Sequence, residues 1–106
     1  MPSPDEAIYI SVGIHPWRLT SENYPVQLQW VEAMLRQDKR VIALGEAGLD
    51  KCCDTPYDLQ EEAFRSMISF SEQYRLPLII HAVRTYNELI ALKKEIRPSQ
   101  PWIIHG

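Results

Sequence analysis

The chain has 106 residues, 45% of them hydrophobic and 24% charged, with a formal net charge of −3. That length suits one small domain and not two, and the apolar content excludes a disordered segment. No broad basic surface is available to grip a duplex, so any chemistry on nucleic acid would fall to metal ions and a few local cations.

No apolar run approaches the roughly 20 residues of a membrane span. The polar, proline-containing start also lacks the apolar stretch of a signal peptide. No membrane contact is therefore expected, and the expected location is cytoplasmic. Cys52 and Cys53 are adjacent, and a bridge between neighbours strains the peptide joining them. They read as reduced thiols.

The first strand-like run, Ile8 to Ile14, ends at His15. Thr20, Ser21 and Asn23 then offer caps, and Pro25 suits the first turn of a helix. Trp30, Val31, Met34 and Leu35 form its buried stripe. The second run, Val41 to Gly45, ends at Glu46, and an irregular stretch from Lys51 to Thr55 follows Asp50. Thr55-Pro56 and Asp58-x-x-Glu61 both mark a helix start. Leu59, Ala63, Phe64, Met67, Phe70 and Tyr74 supply that helix's apolar face. Leu78 to Ile80 is the third run, ending at His81. Thr85-x-x-Glu88 reads as a capping box, with Leu89, Leu92 and Ile96 as the buried stripe. Pro98 and Pro101 close this helix before the last run, Trp102 to Ile104, which ends at His105.

Strands alternating with helices imply an α/β fold, βαβαβαβ, with parallel pairing and right-handed crossovers. Continuous apolar runs further suggest a sheet covered on both faces. All three histidines of the chain, and Glu46, directly follow a strand. In a parallel sheet such positions open onto one edge, where ligands bind. Imidazoles and a carboxylate suit zinc, manganese or iron.

Each residue also has a plainer reading. Glu46 could cap a helix or pair with Lys51, and His81 could be a core histidine bonded to a carbonyl. His15, followed by Pro16, could end its strand and turn. Asp50 could orient a ligand from behind or begin a loop. Arg84 could bind a phosphate bidentately or pair with a surface acid. Cys52 and Cys53 have the softness for a metal, but a vicinal loop pair reads as incidental. Trp17, Trp30 and Trp102 read as packing residues, with Trp17 placed to stack on a base.

Four motifs stand in order along the chain: Gly13-Ile14-His15-Pro16, Gly45-Glu46-Ala47-Gly48-Leu49-Asp50, Leu76-Pro77-Leu78-Ile79-Ile80-His81 and Ile103-Ile104-His105-Gly106. Together they resemble the TatD family of metal-dependent hydrolases, commonly deoxyribonucleases, on a TIM-type (β/α)₈ barrel. The resemblance implies a single partial barrel domain over residues 1–106, incomplete at both ends and spanning strands two to five. It implies divalent metal ions (Zn, Mg or Mn), with Glu46, His81 and His105 as ligands and Glu46 shared between two ions. His15 becomes a catalytic residue contacting phosphate or substrate, Arg84 a substrate contact, and Asp50 a residue behind the ligands.

The chain departs from the family in lacking a first strand ending in His-x-His, and the family's late-strand Asp would lie beyond Gly106. Where many members read His-Ser-Arg, this chain has Ala82-Val83-Arg84, displacing the arginine by one residue. The resemblance implies phosphodiester hydrolysis in DNA, with little or no activity from the isolated piece. The rival readings are an inactive structural or interaction module and an amidohydrolase acting on C–N or ester bonds. Four parallel strands leave two raw edges, which a homodimer closing the half-barrel would hide.

Overall fold

The computed structural model describes residues 8–105; Gly106, which ends the fourth motif, and the first seven residues lie outside them. The elements run β1 (Ile10–Val12), a 3₁₀ turn (Pro16–Arg18), α1 (Tyr24–Gln37), β2 (Val41–Asp50), α2 (Tyr57–Tyr74), β3 (Leu78–Val83), α3 (Tyr86–Ile96) and β4 (Trp102–His105). The strands form one parallel sheet in the order β1-β2-β3-β4. Sequential parallel order with a helix in each crossover is the construction of a (β/α)₈ barrel, and this sheet is a part of one. No helix among the described residues is long and apolar enough to cross a membrane.

The strands differ in extent from their apolar runs. β1 stops at Val12, so His15 lies beyond it as the residue that caps the 3₁₀ turn. β2 continues five residues past Gly45 to Asp50, and His81 lies inside β3. β2 is irregular at Glu46: Leu44 pairs with Leu78 and Ala47 with Ile80, so β2 takes three steps where β3 takes two. Such an insertion bends a strand and re-aims the side chain it carries. Gly45 makes it possible. Its φ of +147° suits only glycine, and a Cβ there would meet the Ile79 carbonyl oxygen at 2.6 Å.

β2 is buried on both faces for most of its length, but β3 is more deeply covered on one face than on the other. Along β3, Leu78, Ile80 and Ala82 are buried, while Ile79, His81 and Val83 are only partly buried. The buried set packs with Phe64, Met67 and Ile68 of α2 and with Leu89 and Leu92 of α3. On the other face, Ile103 is about half exposed. That is the alternation of a barrel wall: helices outside, lumen inside.

The helix signals hold with two amendments. Thr20 and Asn23 bond each other reciprocally at 2.8 and 3.0 Å just ahead of α1, and Pro25 sits in its first turn. Trp30 leaves the expected stripe: Val31 is fully buried, but one residue round the helix Trp30 is 53% exposed. The Thr85 capping box does not form, because the buried Thr85 hydroxyl donates to the Leu49 carbonyl of β2 at 3.0 Å. Glu88 pairs instead with Lys51.

Candidate metal centre

The re-aimed Glu46 stands at the middle of the site. Its Oε1 lies 3.6 Å from His15 Nε2, and its Oε2 lies 2.6 Å from His105 Nδ1. Neither plain reading of Glu46 applies, since it caps no helix and Lys51 is taken by Glu88. The His81 ring sits beside His15, with centroids 4.6 Å apart. Donor atoms of His15, Glu46 and His81 all lie within 4.8 Å of one another. Donors on one cation bound at about 2.0–2.2 Å are at most about 4.4 Å apart, so a small side-chain adjustment lets Glu46 and His81 share an ion. The nitrogens and oxygens present fit a divalent ion.

Asp50 organises this cluster from behind. It is buried at the end of β2, and its Oδ2 accepts from His81 Nε2 at 2.9 Å and from Trp17 Nε1 at 2.6 Å. Its Oδ1 accepts the Cys52 N–H at 2.7 Å. Burial pushes this carboxyl up, but the hydrogen bonds from Trp17, His81 and Cys52 outweigh it and hold it below its ordinary range. An ionised carboxylate only accepts, so His81 carries its proton on Nε2 and keeps a basic Nδ1 for a ligand.

The same reasoning sets His15 differently. Its Nδ1 accepts the Trp17 N–H at 3.1 Å, which puts the proton of the neutral ring on Nε2, the nitrogen nearer Glu46. Burial, and then the neighbouring His81, lower its pKa, so the ring is neutral at pH 7. A neutral ring with an N–H aimed into the site is a hydrogen-bond donor first. His105 Nδ1 stands in ion-pair range of Glu46, and its Nε2 is the ring nitrogen left over.

Arg84 follows β3 at a φ of +54° and is exposed. It makes no hydrogen bond or ion pair with any of these groups among the described residues. The two cysteines are unbridged. The Cys53 thiol meets the Asp50 carbonyl at 3.5 Å, a structural contact in the loop after β2.

Two supports were not read from the sequence. Gln60 of α2 is buried and clamps the Asp50 backbone from both sides. Its Oε1 accepts the Asp50 N–H at 2.7 Å and its Nε2 donates to the Asp50 carbonyl at 3.0 Å. The signal was available: Gln60 stands three and four residues before Ala63 and Phe64, a polar residue on an apolar stripe. Thr55 donates to the Pro16 carbonyl at 2.6 Å, tying the loop after β2 to the turn that carries His15. No sequence pattern announces that contact.

A parallel α/β barrel wall with histidines and a glutamate gathered at one end of its strands belongs to the class of barrel metallohydrolases. The sequence profile of the TatD related DNase family matches residues 3–106, and the chain belongs to that family. It is 28% identical over 102 residues to the uncharacterized metal-dependent hydrolase YjjV of Escherichia coli, covering 95% of this chain and 39% of that protein. It is 35% identical over 92 residues to the uncharacterized metal-dependent hydrolase YabD of Bacillus subtilis, covering 83% and 34%. Deoxyribonuclease Tat-D of Schizosaccharomyces pombe is 26% identical over 106 residues, covering 91% and 34%. The crystal structure of E. coli YjjV superposes with a TM-score of 0.77 at 32% identity, over 92% of this chain and 38% of that one. The chain thus spans well under half the length of these relatives.

Proposed function

We propose that this chain carries the centre of a divalent-metal-dependent hydrolase that cleaves phosphodiester bonds in DNA. The observation that carries the reading is Glu46 flanked by His15, His81 and His105 at one end of the sheet. Glu46, His81 and His105 would hold the cation (Zn, Mg or Mn): Glu46 through its carboxylate, His81 through Nδ1, and His105 through its remaining nitrogen. Asp50 fixes the His81 tautomer and ring orientation. His15, neutral with Nε2–H facing the site, donates to a phosphate oxygen. Arg84, on the loop after β3, is the nearby cation for a neighbouring phosphate. A divalent cation held there would supply an activated water and stabilise the negative charge building on the phosphoryl oxygens. The fission yeast relative's name, a deoxyribonuclease, supports DNA as the substrate.

The test is zinc and manganese titration with elemental analysis of the wild type, Glu46→Ala and His81→Ala. It is followed by manganese-dependent hydrolysis of bis(p-nitrophenyl) phosphate. Stoichiometric binding lost in both variants is expected. Absence of specific binding to the wild type overturns the reading in favour of an inactive module.

We also propose that two copies meet through the face opposite the helices. The support is the half-exposed Ile103 on that face and the edge positions of β1 and β4. Sedimentation equilibrium should show a dimer that Ile103→Lys dissociates; a wild-type monomer at high concentration ends the proposal.

A further inference from the structure

Beside the centre lies a cleft of about 500 Å³ lined by Gly13, His15, Trp17, Arg18 and Gln27. Its size is ordinary for a small-ligand site, which spans about 300–1,000 Å³. We propose that this cleft binds one nucleotide of a single-stranded nucleic acid, with its base stacked on Trp17 and its phosphate facing Arg18. The inference rests on the phosphodiesterase reading and adds to it the residues that grip the strand next to the cut.

Trp17 is 62% exposed, which by itself is unremarkable for a surface residue. What distinguishes it is that the exposed ring is fixed. Its Nε1–H is committed to Asp50 at 2.6 Å, and its ring meets those of His15 and His81 nearly at right angles, at 4.8 and 5.3 Å. The polar end is therefore anchored behind the centre while most of the indole stays in solvent. A base has a π-face of any sequence to offer such a platform, and stacking on it requires no ordering of the tryptophan.

The base of the cleft is equally fixed. The Arg18 carbonyl accepts from Asn23 Nδ2 at 2.8 Å and from Gln27 Nε2 at 3.0 Å, while Thr55 holds the Pro16 carbonyl. Trp17 and Arg18 thus leave adjacent positions of one rigid turn. The Arg18 guanidinium has no ion-pair partner among the described residues, in contrast to Arg36, Arg40 and Arg65. An unpaired, weakly hydrated guanidinium next to an aromatic platform suits a phosphate next to a base. Because His15 belongs both to the cleft and to the metal cluster, a nucleotide held there abuts the reacting centre.

The test uses the full chain in EDTA, so that nothing is cut, and a fluorescein-labelled oligothymidylate read by anisotropy. Trp17→Ala should weaken binding by at least about 5-fold and Trp17→Phe much less. Arg18→Ala should weaken binding and lower the salt dependence by about one charge. An oligonucleotide carrying abasic residues should bind the wild type at least about 5-fold more weakly than the normal one does. That comparison needs no variant, so it stands even if Trp17→Ala, which frees Asp50, unfolds. Equal binding of normal and abasic strands, or no binding by the wild type, overturns the proposal. Bis(p-nitrophenyl) phosphate carries no base. Failure of its hydrolysis therefore sinks the hydrolase reading separately from the cleft.

Discussion

β3 and β4 carry the same three residues side by side: Ile79-Ile80-His81 is paired in register with Ile103-Ile104-His105. Their surroundings differ at every step. Ile80 is fully buried under α2 and α3, while Ile104 is 48% exposed. The His81 side chain is 14% exposed and bonded to a buried carboxylate, whereas that of His105 is 75% exposed and paired with the partly exposed Glu46. Trp102, which opens β4, packs edge-on against Phe64 at 5.8 Å, yet its Nε1–H is buried without an acceptor among the described residues. Sequence identity therefore does not set the contribution of these residues; neighbours on either side of the strand do. One half of the site is built into the core, and the other half rests on the sheet's edge.

Truncating the paired isoleucines breaks this comparison most directly. Ile80→Ala should cost about 2–5 kcal/mol, from lost burial and the cavity left behind. Ile104→Ala should cost less than about 1 kcal/mol, since half of that side chain already meets water. Urea midpoints at unchanged slope read both values. Equal losses at the two positions would mean that β4 is as thoroughly covered as β3.

The two histidines differ in what holds them. Asp50 holds His81, while no carboxylate behind His105 does the same among the described residues. Removing such a partner typically lowers metal affinity by about 10–100-fold. Asp50→Ala should therefore weaken zinc binding by that factor in competition with a chromophoric chelator, and Asp50→Asn should recover part of it. Imidazole ¹⁵N shifts of the metal-free protein should report His81 protonated on Nε2 in the wild type and a mixture of tautomers in Asp50→Ala. An unchanged tautomer would assign Asp50 to folding alone.

Much of this layout was legible because apolar runs and strand ends are local signals. Three of the four motifs lie on strands β2, β3 and β4 and the first directly follows β1, and His15, Glu46, His81 and His105 converge as the parallel order requires. What escaped was decided by partners distant in sequence. β2 was cut short at Gly45 because glycine and glutamate read as a strand's end. They instead form the irregularity where β2 passes close to Ile79. Thr85 fits a capping box, yet it is buried against β2, and the nearest acceptor, Leu49, takes its hydroxyl. Gln60 stood in view as a polar break in an apolar stripe, but its partner is a backbone ten residues away. Trp17 could be placed beside His15 by sequence, though its bond to Asp50, 33 residues on, could not.

The smallest effect sharpens the comparison from the β4 side. The connection into β4 is pinned to α2 by Glu72, whose Oε1 accepts from the Ser99 N–H at 2.8 Å and the Ser99 hydroxyl at 2.7 Å. Its Oε2 accepts the Gln100 N–H at 2.9 Å. The Ser99 backbone N–H and then its hydroxyl hold Glu72 below its ordinary value of 4.5. A carboxyl depressed by folding stabilises the native state above its unfolded pKa, and that stabilisation is lost as pH falls through the folded value. The wild type should therefore lose stability on acidification below about pH 4.5, and Glu72→Gln should lose less over that interval. At pH 7 the variant should already be weaker by about 1 kcal/mol, a modest value because the bonds are near solvent. Hydrogen exchange should locate the loss: amides of β4 should exchange faster in Glu72→Gln while those of β3 stay protected. If both strands accelerate together, the edge and the core open as one unit, and the division between the two halves of the site does not hold.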